Sequence, residues 1–387
     1  MIDRDEFSAW LRLLETPGIG RESARALLAR FGSPEAAIGA STAARQAVVA
    51  PGPAAALAKM PEQFESRLAA AWQWLTTGDE PRDAIVLGDS RYPQALLDSA
   101  DPPLLLYTRG RVELLNAPAI AIVGSRNATP QGLENARAFA LHLGRAGWVV
   151  VSGLALGIDG AAHEAALASG AGTIAVVGTG LDVFYPIRHR ALAQRIAADG
   201  LIVSEFAIGT PALAENFPIR NRIIAGLARG TLVVEAAVQS GSLITARLAV
   251  EAGRDVFAIP GSIHSPQSRG CHALIKQGAK LVDSAADIVD ELAPLAARVG
   301  ATPRTGTGAA AATGAGTSAA ADEVPASAAG VKDPVLDALG FDPIGLDELV
   351  ARTGRSAADL SARLLDLELQ GRVGRLPGQR FQRVDRA

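Results

Sequence analysis

Six short apolar runs punctuate the chain between residues 118 and 292: AIAIVG (119–124), WVVVSG (148–153), TIAVVG (173–178), LIVSE (201–205), TLVVEA (231–236) and DVFAIPG (255–261). Between them lie stretches of helical periodicity, such as GLENARAFALHLGRA and SLITARLAVEAG. A strand that stays apolar without alternating is buried on both faces, which requires a parallel sheet covered by helices. The pattern therefore predicts an α/β fold, a Rossmann-like doubly wound and mostly parallel sheet. AKLVD (279–283) and AADIVDEL (285–292) supply a last strand and helix. Residues 81–117, where IVLG and PPLLLYTRG are broken by prolines, are expected to add edge strands or a covering layer, so that this domain spans 81–293.

At 387 residues the chain exceeds what one hydrophobic core usually supports, and its flanks read as separate units. Residues 1–80 are expected to be short helices. FSAWLRLLE and RESARALLARF are joined by Thr16-Pro17-Gly18-Ile19-Gly20, and Pro51-Gly52-Pro53 before AAALAKM is a weaker echo of that turn. The arrangement resembles helix-hairpin-helix or SAM-like modules, whose glycines let backbone N–H groups approach a phosphate. A plain helix–helix turn that only packs its neighbours fits the same residues. Residues 294–332, almost all Ala, Gly, Thr, Ser and Pro, read as a flexible linker. Residues 333–387 read as three helices and a hairpin turning at Pro377-Gly378, the pattern of a winged helix. This unit carries slightly more acidic than basic residues, which favours protein contact or weak DNA contact over a basic duplex-binding face.

In an open parallel sheet, ligands sit beyond the carboxyl ends of the strands, where strand order reverses. The turns there are Gly124-Ser125-Arg126, Ser152-Gly153 through Gly157-Ile158-Asp159, Gly178-Thr179-Gly180, and Gln239-Ser240-Gly241-Ser242. Each leads into a helix or a small polar loop, so several helix N-termini converge into an anion pocket suited to phosphate. Phe217-Pro218-Ile219-Arg220-Asn221-Arg222 adds a ring, two guanidiniums and an amide. Stacking, phosphate forks and base-edge hydrogen bonds are what single strands require of a protein. The alternative is a core role for Phe217, with the arginines paired to Glu205 or Glu215.

Other classes find less support. The net charge of −3 excludes a globally basic coat, so any anion site is local. Lysine occurs only at positions 59, 276, 280 and 332, which leaves the positive charge to arginine. A single cysteine, Cys271, excludes an intrachain disulfide and a thiolate zinc site. There is no Gly-x4-Gly-Lys-Ser/Thr, no third glycine in the dinucleotide register, and no metal spacing among the five histidines, so no cofactor is expected. Asp159 and His163 lie one turn apart, a spacing read as a helix cap beside a structural imidazole. Without a signal peptide or a membrane-length apolar run, a cytoplasmic protein that contacts no membrane is expected.

The ordered set Gly124-Ser125-Arg126, SGLALGID (152–159), GTGLDVFYP (178–186), SEF (204–206), FPIRNRII (217–224), TLVVEA, SGSLITA (240–246) and IPG (259–261) resembles the DNA-processing protein A family (DprA, also called Smf) over roughly residues 85–285. The resemblance implies a non-enzymatic protein that binds and protects single-stranded DNA during natural transformation. It also implies loading of the RecA recombinase and a homodimer formed through the Rossmann-like domain. It places the DNA pocket on Gly124, Ser125, Arg126, Phe217, Arg220, Asn221 and Arg222, with the glycine turns supplying N–H groups. Some members carry a lysine shortly before the phenylalanine; here PALAE (211–215) stands there, so that phosphate contact is either absent or supplied by Arg188 or Arg190. Apolar residues near Ile288, Val289 and Leu292 are candidates for the dimer face. The alternative function is a nucleotide-processing hydrolase of the lysine-decarboxylase-like Rossmann group, for which Gly230-Thr231 and Glu235 are fragments of the required turn and acid. Its double glycine is replaced by Ala228-Arg229.

Overall fold

A computed structural model of the chain describes residues 2–78, 80–293, 333–376 and 378–384. It divides into two units, Met1–Val289 and Asp290–Ala387. The linker expected over 294–332 and Pro377 of the C-terminal turn lie outside the described residues.

Unit one opens with helices α1 (Arg4–Glu15), α2 (Arg21–Phe31), α3 (Pro34–Gly39), α4 (Thr42–Gln46), α5 (Pro51–Ala56) and α6 (Phe64–Thr76). Asp3 caps α1 by accepting from the amides of Asp5 and Glu6, and Ser33 and Ser41 cap α3 and α4. The turns at Gly18 and Pro53 pack against each other: a Cβ on Gly18 would lie 3.2 Å from the Pro53 ring.

The sheet follows: β1 (Arg82–Val86), α7 (Gln94–Leu97), β2 (Leu105–Gly110), β3 (Ala119–Val123), α8 (Pro130–Arg145), β4 (Val149–Ser152), α9 (Ile158–Ser169), β5 (Thr173–Val176), α10 (Arg190–Asp199), β6 (Leu201–Ser204), α11 (Asn216–Leu227), β7 (Gly230–Val233), α12 (Gly241–Glu251), β8 (Asp255–Ala258), α13 (Arg269–Lys276), β9 (Lys280–Leu281) and α14 (Ala285–Leu292). The nine strands lie in the order β1-β2-β6-β5-β4-β3-β7-β8-β9. Strands β3 to β9 run parallel, while β1 and β2, from the segment expected to give edge strands or a covering layer, form an antiparallel extension beside β6. The sheet finishes beyond β8 in the two exposed residues of β9. Winding proceeds outward from β3 to β6 and then returns to β7 on the other side of β3, so strand order reverses between β3 and β7.

Both faces are filled. Ala175 and Ile202 face the side that packs with the N-terminal helices, where Phe7 and Trp74 meet Tyr107 edge-on at 6.2 and 6.3 Å. Ile174, Val176, Val151 and Val203 face the other side with Ile223 and Ile224 of α11. Each such large side chain contributes roughly 1.5–3 kcal/mol by leaving water. The helical module and the sheet therefore share one core. Ile288, a candidate for a dimer face, is fully buried within the chain, which removes it from that role.

Unit two contains helices Pro334–Leu339, Leu346–Thr353 and Ala357–Leu369 and a three-stranded sheet of β10 (Ile344–Gly345), β12 (Arg380–Arg383) and β11 (Val373–Leu376). Leu336, Leu349, Leu360, Leu364, Leu367 and Phe381 form its own core. This is the winged-helix pattern.

Candidate functional site

The reversal point carries an open cleft of about 680 Å³. One wall is the turn after β3, Gly124-Ser125-Arg126; the other is the turn after β7, Gln239-Ser240-Gly241-Ser242. Phe217, Arg220, Asn221 and Ile224 of α11, at helical spacing, form the third side. Nine residues singled out in sequence thus meet: Gly124, Ser125, Arg126, Phe217, Arg220, Asn221, Ser240, Gly241 and Ser242. Gly153 and Gly178 line a smaller adjoining cavity of about 70 Å³ that shares Arg126, Phe217 and Arg220.

Three helices begin here. Ser240 caps α12, its Oγ accepting from the Ser242 amide at 3.4 Å, and Asn221 reaches the Gly241 carbonyl at 3.5 Å. The first turns of α9 and α11 contribute Asp159, Phe217 and Pro218. Aligned N-terminal dipoles make this end of the sheet electropositive.

Arg126 is exposed and stands 5.6 Å from the centre of the Phe217 ring, and Tyr185 lies 5.2 Å from the same ring on a tilted plane. Guanidinium, Phe217 and Tyr185 form one cluster, the two rings tilted by 33° and Tyr185 45% exposed. Tyr185 was not assigned from sequence; its signal is an aromatic pair, Phe184-Tyr185, four residues after Gly180 of the Gly178-Thr179-Gly180 turn.

Arg220 is 5% exposed. It donates to the carbonyls of Gly153, at 2.7 Å, and Val176. Burial lowers its pKa to about 10 against the opposing charge of Asp159. A side chain at position 153 would collide with this guanidinium, so only glycine admits it. Asp159 accepts from the amides of Gly153 and Ala155 at 3.0 and 3.3 Å, and burial raises its pKa while Arg220 pulls it down. One helical turn on, His163 is fully buried between the Thr173 hydroxyl and the Leu154 amide, and burial lowers its pKa to about 3. His163 is the structural imidazole expected, whereas Asp159 does not cap its helix: the N-cap of α9 is Gly157, with no side-chain cap, and the carboxylate ties down the loop before it.

Four expected residues stand elsewhere. Ser152 is fully buried and donates its hydroxyl to the Ile122 carbonyl at 2.6 Å. Gly157 (φ +80°) lies under the cleft wall, where a Cβ would strike the Ser125 carbonyl. Gly180 donates its amide to Thr210 at 2.9 Å in a neighbouring loop. Arg222 faces away: its Nε donates to Asp101 at 2.9 Å and its Nη2 to Glu205 at 2.6 Å. Placing Arg222 in the pocket is corrected by this geometry, and the Glu205 pairing weighed as its alternative is what forms. Arg190 sits 5.2 Å over the Phe184 ring instead of joining the cleft walls. The hydrolase reading loses its acid, because Glu235 accepts from the Thr129 amide at 2.9 Å and its hydroxyl at 2.5 Å, fixing the start of α8. No group of His, Cys, Asp and Glu suited to a metal occurs among the described residues, and no helix among them is long and apolar enough to cross a membrane.

The family described as DNA recombination-mediator protein A matches residues 83–293. A DprA-like N-terminal HHH domain matches 4–55, and the DprA winged helix domain matches 319–379. The chain is 52% identical to DNA processing protein DprA of Streptococcus pneumoniae over 52% of its own length and 72% of the relative's. It is 40% identical to protein Smf of Escherichia coli over 79% and 78%. The solved structure of the S. pneumoniae DprA aligns with a TM-score of 0.65 at 38% identity, covering 75% of this chain and 98% of that one. DNA processing protein A of Helicobacter pylori, solved for its single-stranded DNA binding mode, aligns with a TM-score of 0.50 at 31% identity, covering 55% and 95%. With the sheet, both flanking modules and the cleft motifs in one order along the sequence, the chain belongs to the DNA recombination-mediator protein A (DprA/Smf) family.

Proposed function

We propose that the cleft between β3 and β7 grips single-stranded DNA. The observation that carries this reading is the cluster of Arg126, Phe217 and Tyr185 beside three helix N-termini. Bases stack on the two rings, a contact that tolerates any sequence. Phosphates fall to Arg126 and to the positive dipole ends of α9 and α12. Arg220, tied to two carbonyls, gives the wall positive charge without moving. Duplex DNA keeps its bases stacked on one another and leaves the cluster no free face, so the site prefers lone strands. The solved relative's single-stranded DNA binding mode supports the same assignment. In keeping with the family's recombination-mediator description, the protein then passes the strand to the RecA recombinase during DNA uptake, acting in the cytoplasm as a homodimer and without enzymatic turnover.

Gel shifts with single- and double-stranded oligonucleotides at two salt concentrations test the reading. The single strand is expected to bind more tightly. Phe217→Ala should cost about 1–3 kcal/mol per stacked base. Arg126→Ala should weaken binding and flatten the salt slope by about 0.7. Parental affinity in both variants, or equal binding of the two DNA forms, overturns it.

A further inference from the structure

Arg222, displaced from the cleft, is the hub of an ion network that joins the helical module to α11. Its guanidinium forks across two carboxylates, Asp101 and Glu205. From α2, Arg21 reaches Asp101 at 2.7 Å and Glu205 at 3.9 Å, and Arg25 reaches Asp101 at 2.6 Å and the Pro102 carbonyl at 3.3 Å. Asp101 therefore receives three arginines, two of them from a module that lies far away along the chain. Lone surface pairs contribute little. This one differs, because the side chains of Arg222 and Glu205 are only 12% and 13% exposed. Removing one partner would strand a charge away from water.

The same helix carries the DNA wall. Phe217, Arg220, Asn221 and Ile224 face the cleft. Arg222 sits two residues past Arg220, about 200° around the axis. Arg220 pins the cleft side of α11 to the turn after β4 and the end of β5. The network pins the opposite side. Stacking geometry of this kind is lost with displacements of a few tenths of an ångström to one ångström.

We propose that Asp101, Arg222, Arg21 and Arg25 are positioning residues for the strand-binding cleft, so that seating of the N-terminal helical module sets the orientation of α11 and hence the grip on DNA. This rests on reading the cleft as the DNA site. The network touches no DNA itself.

The test measures binding of labelled oligo-dT by fluorescence anisotropy across a salt series, on the full-length protein and well below each variant's melting temperature. Asp101→Asn, Arg25→Gln and Arg222→Lys are compared with Arg126→Ala. The network variants are expected to bind about five- to twentyfold more weakly, with the salt slope of the parent. Asp101→Asn is the sharpest case, since losing a negative charge through the field alone would tighten binding to a polyanion. Arg222→Lys keeps the charge and loses the fork, so it too should weaken binding. Parental or tighter binding by Asp101→Asn and Arg25→Gln overturns the proposal, as does full affinity in Arg222→Lys. A lowered melting temperature with unchanged affinity overturns it as well, by reducing the network to a stabilising role. If Asp101→Asn does not fold, Arg25→Gln, on a partly exposed side chain, decides. Should Arg126→Ala also bind like the parent, the cleft assignment itself fails; weakening there alone confines the failure to the network.

Discussion

Arg220 and Arg222 stand two residues apart on one helix and do opposite things, one tied to carbonyls in the cleft wall and the other to carboxylates behind it. Residue type and spacing cannot tell them apart. What separates them is Asp101, which is 121 residues from Arg222 along the chain. Ser152 is a similar case: its place in a glycine-rich turn matched a phosphate loop, yet its hydroxyl is spent inside the sheet. Local pattern identified the right turns but not which way each side chain points. His163 was legible, because an Asp one turn before a histidine on a buried helix reads as structure. It also yields a pH prediction. Its folded pKa, about 3, lies below the ordinary value of 6.5, so the unfolded chain takes up a proton first as pH falls. That stability is fully present above pH 6.5 and declines toward pH 3, at a limiting rate of about 1.4 kcal/mol per pH unit from this group. Denaturant melts between pH 7 and 5 should show the decline, and His163→Gln should flatten it; an unchanged slope in the variant would remove His163 as its source.

At the scale of elements, the parallel strands were legible because both faces of each are buried and their runs are therefore apolar throughout. The antiparallel direction of β1 and β2 was not, since proline-broken segments signal an edge without fixing its sense. The cleft depends on turns held closer than side chains allow. Gly157, at φ +80° and ψ −127°, brings the start of α9 against the Ser125 carbonyl. Gly157→Ala is expected to cost roughly 1–3 kcal/mol from the backbone alone, with the clash added, and to weaken DNA binding by displacing the Arg126 turn. Urea unfolding and anisotropy on the same samples check this; parental values in both would show that the turn relaxes freely.

For the whole molecule, the two units stand on separate cores, one shared by the N-terminal helices and the sheet, the other confined to the winged helix. If the cleft carries the binding, a chain ending at residue 293 should lose less than tenfold in single-strand affinity, about 1.4 kcal/mol. A greater loss would move the main DNA contact into the winged helix, against its balance of charge. The sheet's β9 margin, two exposed residues of which one is Lys280, bears on crowding. Wherever copies of a protein meet at high local concentration, a long bare strand would template fibrous accretion from chain to chain. So short a margin, with a charge set into it, offers a neighbour almost nothing to register on. At that margin one copy should therefore not seed strand addition to the next.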